Sequence, residues 1–360
     1  MQYDTPVAPE EFNNSLANNP HISEETRSQI EQILGTNPGG NATKVDVGLF
    51  DGTTLQAPSD EPIEMLVIAP PPPPVPGGIV NIVIPQNVLQ SARAYVFETN
   101  ENIQVTFNTV ERVVVSGQGH DLMTVNGDRN TTLDGSGGND TLVTSGGNDS
   151  VTGGDGNDSI SAAAGNDTIV SGLGEDTIDG GAGRDMVRIA GDKSDYTVTL
   201  IDGELRVTSK ADASVESKLT DVEFVSFDNG DSIAVAADAT EATMLRLYQG
   251  VLGRDADEGG ATYWINEVQS GNISLSNIAA GFLHSAEYSE ITQQTTLTDE
   301  QYIDALYANA LGRAAEEAGK NYWLNELANN QSRADVAIGI VGSPEATGYV
   351  DGVIIITGQI

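Results

Sequence analysis

An aliphatic residue recurs every nine positions through the middle of this 360-residue chain. A period of nine fits neither a helix nor a hairpin meander. It fits a coil that turns a corner every nine residues and stacks each side chain on its predecessor, which is a parallel β-solenoid. The series slips by one residue after Met123, and its members are Val96, Val105, Val114, Met123, Leu133, Leu142, Val151, Ile160, Ile169, Ile178 and Val187.

An aspartate precedes the aliphatic residue by two positions in six consecutive repeats. The unit is clearest at residues 153–161, Gly-Gly-Asp-Gly-Asn-Asp-Ser-Ile-Ser. An earlier copy, out of phase by one residue, contains Asp121. The copy between it and the six regular repeats is degenerate, with Thr131 at the aspartate position. Gly/Asn/Asp-rich composition alone is also typical of a flexible linker, but a linker has no reason to keep aspartate and an aliphatic residue in one phase.

Glycine turns that carry one carboxylate each suit calcium, which takes six to eight oxygen ligands. Glycine directs backbone carbonyls inward at unusual φ, and the carboxylate adds charge. Consecutive nonapeptides alternate between two edges of the stack, so like aspartates lie about 5 Å apart along each edge and repel without cations. The predicted calcium ligands are Asp121, Asp140, Asp149, Asp158, Asp167, Asp176, Asp185, Asn157, Gly135, Gly137, Gly146, Gly153, Gly154, Gly156, Gly172, Gly174, Gly181 and Gly183.

Residues 117–188 resemble the RTX repeats of secreted proteins of Gram-negative bacteria, whose pattern is G-G-x-G-x-D-x-U-x. The resemblance implies a parallel β-roll, calcium-induced folding outside the cell, and export by a type I secretion system with an uncleaved C-terminal signal. Three departures from the pattern predict weaker calcium binding: Thr144-Ser145 and Ala162–Ala164 replace leading glycines, and Glu175 replaces asparagine.

The segments before the repeats predict an N-terminal segment, residues 1–77, that is helical and then proline-rich. Ser23 is a good N-cap, Gly35 ends the helical pattern, and Pro70–Pro74 indicates a stiff spacer. We expect the solenoid over residues 78–188, with its calcium-binding part at 117–188 and a calcium-free start.

A small β cap is expected over residues 189–238, with strands around Asp202-Gly203 and before Asn229-Gly230. The aliphatic tail, residues 348–360, is expected to act either as part of a secretion signal or as a strand on a neighbouring molecule's edge.

A second repeat, near 59 residues long, occupies residues 239–347. Leu252-Gly253-Arg254 matches Leu311-Gly312-Arg313, and Tyr263-Trp264 matches Tyr322-Trp323. These copies resemble the DUF4214 family, a helical module whose activity is not established. We expect the two tryptophans to be core anchors, with ligand binding as the alternative. Asp255 and Asp257 are a weak metal hypothesis, because Ala314 and Glu316 replace them in the second copy. The fold class is therefore multidomain: a β-solenoid, a β cap and an all-α module of two repeats.

The amino-acid composition limits the classes of molecule that the chain can bind. The chain has 53 Asp and Glu residues against 16 Lys and Arg, a formal net charge of −37. Such a chain attracts cations rather than nucleic acid or an anionic membrane. It has no cysteine, which excludes disulfides and thiolate metal sites. Neither a secretory leader nor an apolar run of about 18 residues is visible, so no transmembrane segment is expected.

We expect no enzyme, because the three histidines are isolated and neither a zinc-protease motif nor a Gly-x-Ser-x-Gly elbow occurs. The favoured interpretation is a secreted, extracellular or cell-surface protein of a Gram-negative bacterium. It would self-assemble, or join other cell-surface components, in a surface layer, matrix or filament. Its partners would be calcium ions and the type I secretion machinery. A monomeric adhesin or ligand-binding module is the alternative, and an ice-binding solenoid is a third.

Overall fold

The chain forms two compact units in a computed structural model, and each is described by itself. The first comprises Met1–Ala190 with Ser194–Val222, and the second comprises Gly191–Lys193 with Glu223–Ile360. The structure describes residues 6–20, 22–42, 44–57, 62–84, 89, 91–108, 112–293, 296–349 and 352–355.

Two sheets of mostly parallel strands build the first unit, and successive coils of the chain alternate between them. The first sheet has the order β2-β1-β3-β5-β7-β9-β11-β13-β15 within this unit, and its strands are β1 (Val47–Phe50), β2 (Leu55–Gln56), β3 (Met65–Ile68), β5 (Ala94–Phe97), β7 (Arg112–Val115), β9 (Thr131–Asp134), β11 (Ser150–Asp155), β13 (Thr168–Leu173) and β15 (Met186–Ile189). The second sheet has the order β16-β17-β18-β14-β12-β10-β8-β6-β4, and its strands are β4 (Ile79–Asn81), β6 (Asn102–Asn108), β8 (Leu122–Asn126), β10 (Thr141–Val143), β12 (Ser159–Ser161), β14 (Glu175–Asp179), β16 (Tyr196–Ile201), β17 (Glu204–Ser209) and β18 (Glu216–Thr220).

The predicted parallel β-solenoid is confirmed. Residues 18 apart pair within each sheet, as Leu142 does with Ile160 and Val151 with Ile169. All eleven aliphatic residues of the nine-residue series are buried. Val96 departs from the expected register. Its position opposite Val114 is taken by Tyr95, and Val96 instead belongs to the cluster that packs against the N-terminal helices.

The stack begins at β1, well before the expected start at residue 78. Strand β1 pairs in parallel with β3, and β3 pairs with β5. The proline run Pro70–Pro74 is therefore a connection inside the solenoid and not a spacer in front of it. The nine-residue phase does not reach these strands, because the chain between Met65 and its partner Ala94 contains the proline-rich insertion.

Two N-terminal helices, α1 (Pro9–Ala17) and α2 (Glu24–Leu34), cover the outer face of the first sheet. The expected start and end of α2 are confirmed: Ser23 Oγ accepts a hydrogen bond from Thr26 N, and Gly35 takes the left-handed conformation at φ 69°. Their apolar residues form one buried cluster with β1, β3, β5 and β7. The strands beneath the helices are consequently apolar on both faces.

The expected β cap over 189–238 is divided between the two units. The hairpin β16–β17 turns at Asp202-Gly203 as predicted, and β18 adds to β14 in parallel, so these strands extend the solenoid. Strands β19 (Phe224–Phe227) and β20 (Ser232–Ala236) belong to the second unit. Which unit each strand joins depends on pairing between strands far apart in the sequence, and sequence patterns do not specify such pairing.

The second unit joins three strands to two copies of a helical module. Strand β20 pairs with β19 and with β21 (Val353–Ile355). The tail's aliphatic strand thus pairs with β20 of its own chain and is the last strand of that sheet among the described residues. Pairing of its outer edge with a neighbouring molecule stays a prediction. The helices are α3 (Ala239–Leu247), a π-helical turn (Tyr248–Leu252), α4 (Glu258–Gln269), α5 (Leu275–Leu283), α6 (Ala286–Ile291), α7 (Asp299–Leu311), α8 (Glu317–Ala328), α9 (Arg333–Val341) and α10 (Pro344–Tyr349). Within the described residues, no helix has the length and apolar character needed to span a bilayer.

The repeated Leu-Gly-Arg motif fixes the loop before the second helix of each copy. Arg254 stacks on Tyr248 at 5.0 Å and donates to Asp257 and Glu287. In the second copy Arg313 stacks on Tyr307 at 5.1 Å and donates to the two equivalent glutamates, Glu316 and Glu345. Asp257 also caps α4 through Gly260 N. Its carboxylate is committed to this architecture, which argues against the metal hypothesis.

The two tryptophans were expected to be core anchors, but both are only half-buried. Trp264 meets Phe282 edge-to-face at 6.0 Å, and Trp323 lies against Gly339 in α9. The tyrosines before them, Tyr263 and Tyr322, are 57% and 56% exposed. Each tyrosine therefore presents its ring to solvent while resting on the tryptophan.

Gly339 and Gly281, at equivalent helical positions, offer a matched test of this packing. A Cβ on Gly339 would lie 2.5 Å from the Trp323 ring, whereas a Cβ on Gly281 meets nothing within 4 Å. We expect Gly339→Ala to lower the free energy of unfolding by about 1–3 kcal/mol through overpacking. Gly281→Ala should raise it by up to about 1 kcal/mol, because alanine is the better helix former. Thermal unfolding of both variants measures this, and equal effects would contradict the described packing.

Candidate calcium centre

Each nonapeptide of the repeats makes a glycine-rich turn and then a short strand, with the aspartate just before the strand. The six aspartates in register are at most 3% exposed, so their carboxylates lie inside the turns. Burial of this kind requires a partner for every carboxylate oxygen.

One oxygen of each carboxylate has a partner in the neighbouring turn. Asp158 Oδ1 accepts from Asp140 N at 2.9 Å, and Asp176 Oδ1 accepts from Asp158 N at 3.0 Å. The same bonds run from Asp149 N to Asp167 and from Asp167 N to Asp185. The carboxylates thus form two rows, one on each edge, in the alternation that the sequence predicts.

The second oxygen has no such partner. Oδ2 is buried and without a hydrogen-bond donor in five of these residues, which are Asp140, Asp149, Asp158, Asp167 and Asp176. An unsatisfied buried polar atom costs roughly 1–3 kcal/mol, and more if it is charged. Repetition of the same orphan oxygen in successive turns fits a bound cation at each turn.

Glycine backbone closes the space in front of these oxygens. A Cβ on Gly153 would lie 2.6 Å from Asp158 Oδ2, and a Cβ on Gly135 would lie 2.7 Å from Asp140 Oδ2. Successive turns also stack so closely that a Cβ on Gly156, at φ 130°, would clash with Gly138 O. In these turns glycine lets peptide groups approach the carboxylate closely, and such peptide groups can supply carbonyl ligands.

The other predicted glycines occupy three positions of the turn. Gly154, Gly172 and Gly181 follow the leading residue, Gly174 and Gly183 occupy the same turn position as Gly156, and all five have positive φ. Gly137 and Gly146 pair in parallel with the next turn, to Asp155 and Ala164. Ser136 and Ala163 take the left-handed conformation without being glycine, at φ 65° and 71°. Four glycines with positive φ in the turns were missed by the prediction, and these are Gly127, Gly138, Gly147 and Gly165.

A second ladder, on exposed asparagines, was also missed. Asn139 Oδ1 accepts from Asn157 N, and Asn148 Oδ1 accepts from Asn166 N. Asn157, predicted as a calcium ligand, belongs to this ladder, and its amide oxygen accepts a hydrogen bond from Glu175 N at 3.1 Å. The signal was available in the sequence as an asparagine just before the aspartate in four copies, from Asn139 to Asn166.

Asp121 lies in a turn of a different kind. Its Oδ1 accepts from Ile103 N at 2.8 Å, and its Oδ2 accepts from Gly117 N at 3.1 Å and from the Ser116 hydroxyl. Both oxygens are satisfied by protein donors, so the prediction of Asp121 as a calcium ligand is not supported. Ser116 stands where the leading glycine stands in the clearest repeats, and its hydroxyl takes the place of a cation.

Burial governs the charge state of the repeat aspartates. Desolvation raises the pKa of Asp140 to about 8 and those of Asp149 and Asp176 to about 7. Among the described residues no three His, Cys, Asp or Glu side chains converge on a point that could hold a metal. Backbone carbonyls must therefore supply most ligands of each ion, which suits a hard cation such as calcium.

Comparison with protein families agrees with this chemistry. Residues 125–160 and 152–187 match the family model described as RTX calcium-binding nonapeptide repeat, and residues 238–292 and 288–350 match the domain of unknown function DUF4214. Searches of curated proteins and of solved structures gave no match. The ion that the repeats bind is Ca²⁺.

Removing one orphan oxygen should weaken calcium binding. In Asp158→Asn the amide oxygen can keep the bond from Asp140 N, but an amide NH₂ then replaces the ligand oxygen. We expect the free-calcium midpoint for strand formation, followed by circular dichroism, to rise roughly 2- to 10-fold. The matched control is Asp155→Asn, an exposed aspartate of the same turn. Equal midpoints for the two variants would contradict the assignment.

Without calcium, acid should stabilise the repeats. The folded pKa values, about 8 for Asp140, about 7 for Asp149 and Asp176 and about 6 for Asp167, lie above the value near 4 of an unfolded aspartate. Folding without calcium therefore takes up protons, and its stability is greatest below about pH 4 and is lost as pH rises through about 6–8. Circular dichroism in chelator should show strand content rising from pH 8.5 to pH 5. Strand content that falls on acidification would refute this sign, and millimolar calcium should abolish the trend at neutral pH.

Proposed function

We propose that this protein, which carries RTX calcium-binding repeats and two DUF4214 domains, is an extracellular structural component that folds on calcium and then self-assembles. The observation that carries the proposal is the row of buried aspartate oxygens without protein donors. Such a row folds only where its charge is neutralised, by a bound cation or, in acid, by protonation. The role is non-enzymatic, in a surface layer, matrix or filament of a Gram-negative bacterium.

Calcium acts as the folding signal in this proposal. Extracellular calcium modules have dissociation constants of about 10⁻⁴–10⁻³ M, far above free calcium in the cytosol. Where the site is absent from the unfolded chain, the binding free energy becomes folding free energy. Without calcium, repulsion among the aspartates of each edge keeps the repeat region expanded.

Export by a type I secretion system fits the same logic, because repeats that stay unfolded without calcium can pass through a narrow channel. The RTX resemblance supports this route and implies an uncleaved signal at the C-terminus. Deleting residues 342–360 in a secretion-competent host should abolish export, and undiminished export would remove the signal hypothesis.

Exposed sheet edges support self-assembly. Among the described strands, β4 and β16 end the second sheet. Ile79 and Val83, in and just after β4, are 55% and 82% exposed, and Leu200 and Ile201 of β16 are 43% and 44% exposed. An edge that presents aliphatic side chains is a template for another chain. Edges at opposite ends of one sheet give a head-to-tail contact that continues indefinitely.

The alternative function is a monomeric adhesin or ligand-binding module. It is favoured by Tyr263 and Tyr322, which expose their rings at equivalent positions of the two helical copies. Each ring is held edge-to-face on the following tryptophan at 4.8 Å, so it is already positioned for a partner.

Light scattering separates the two functions. In millimolar calcium we expect polymers of the full chain, and chelator should disperse them. Leu200→Lys with Ile201→Lys should leave monomers with unchanged circular dichroism, because charge on the β16 edge opposes pairing. Tyr263→Ser with Tyr322→Ser is the control and should still polymerise. Monomers of the unaltered chain in calcium would favour the alternative.

A further inference from the structure

We infer that helices α1 and α2 with strands β1 to β9 form a calcium-independent template, on which the calcium-bound coils stack in register. The inference rests on the proposed calcium-dependent folding and adds where that folding starts. It divides the solenoid into a part held by its own apolar core and a part held by ions.

The template has an apolar core that the repeats lack. Phe12, Leu16 and Ile30 of the helices pack with residues of β1, β3, β5 and β7 in one buried cluster. In the repeat strands β10 to β14, by contrast, the inward face of each strand carries one buried aliphatic residue, such as Ile160. Hydrophobic burial scales with the apolar area removed from water, so the template can fold without a cation and a single repeat coil cannot.

The satisfied turn at Asp121 marks the end of the calcium-free part. Protein donors fill both of its oxygens, whereas Asp140, the next aspartate on that edge, has an orphan Oδ2. Asp121 N donates to Asp140 Oδ1 at 2.8 Å. The last calcium-free turn thus makes the first bond of the aspartate row.

Helix α2 holds the corresponding strand of the first sheet. The Thr26 hydroxyl donates to Asp134 Oδ2 at 2.6 Å, and Ser136 N donates to Asp134 Oδ1 at 2.9 Å. Asp134 ends β9, and β9 pairs with β11 through Leu133 and Val151. A side chain from a distant helix therefore fixes the strand on which the first repeat strand of that sheet is laid.

A fixed edge matters because parallel strands of different coils can slip. Repeats with equal turns can pair in several registers, and a one-residue slip reverses every side chain. Repeat arrays without a starting point nucleate anywhere. A preformed edge at β8 and β9 gives the repeats one register and one direction of growth.

Hydrogen exchange on the full chain, in chelator and in millimolar calcium at neutral pH, tests the template. We expect the amides of β5 and β7 to be protected in both conditions, and those of β10 to β14 to gain at least tenfold protection only in calcium. Loss of protection in β5 and β7 in chelator would overturn the template while leaving calcium-dependent folding intact. Full protection of β10 to β14 in chelator would overturn the calcium-dependent folding itself.

A variant tests the coupling between helix and repeats. Thr26→Val keeps the shape of the side chain but removes the Thr26 hydroxyl that donates to buried Asp134 Oδ2. We expect the free-calcium midpoint for protection of β11 and β13 to rise about twofold, because a weakened template must be offset by calcium. Thr197→Val, on the exposed β16, is the matched control. An unchanged midpoint in Thr26→Val, equal to the control, would refute the role of α2.

Discussion

The buried carboxylate with one satisfied and one orphan oxygen is the interaction on which the solenoid repeats depend. Because Asp158 Oδ1 is bonded to the neighbouring turn, the carboxylate cannot rotate toward solvent, and Oδ2 stays inside. Gly153 lies against this oxygen at the leading position of its turn. Thr144, Ala162 and Ser171 are buried at the same position of other turns, so a short side chain is also accepted there. The spacing of the turns and the metal requirement thus both follow from one buried group.

Two hydrogen-bond ladders connect adjacent turns in opposite directions. Aspartate side chains accept from the preceding turn of the same edge, as Asp158 does from Asp140 N, while asparagine side chains accept from the following turn, as Asn139 does from Asn157 N. Loss of a single turn therefore leaves backbone N–H groups or side-chain oxygens without hydrogen-bond partners in the turns on both sides. This makes the repeats cooperative, even though each coil contributes only a small apolar core.

The sequence predicted what repeats locally and missed what depends on distant partners. The aspartate phase and the alternation of edges follow from nine-residue spacing, because a solenoid coil is a local structure. The start at β1 was missed since a proline-rich insertion separates Met65 from its partner Ala94. Asp121 looked like a ligand because its turn carries glycines before the aspartate. What sets it apart is that the Ser116 hydroxyl and Gly117 N both reach its Oδ2, a geometry that the sequence does not show.

The helical copies show how a repeated motif can serve architecture. Asp257 and Glu316 differ in length, and only Asp257 caps its helix, yet both pair with the arginine of the Leu-Gly-Arg motif. What the two copies share is therefore the ion pairing that holds the loop, which argues against the motif as a metal site. The exposed tyrosine ring is the repeated feature without such an architectural role, so a partner of this module would bind there.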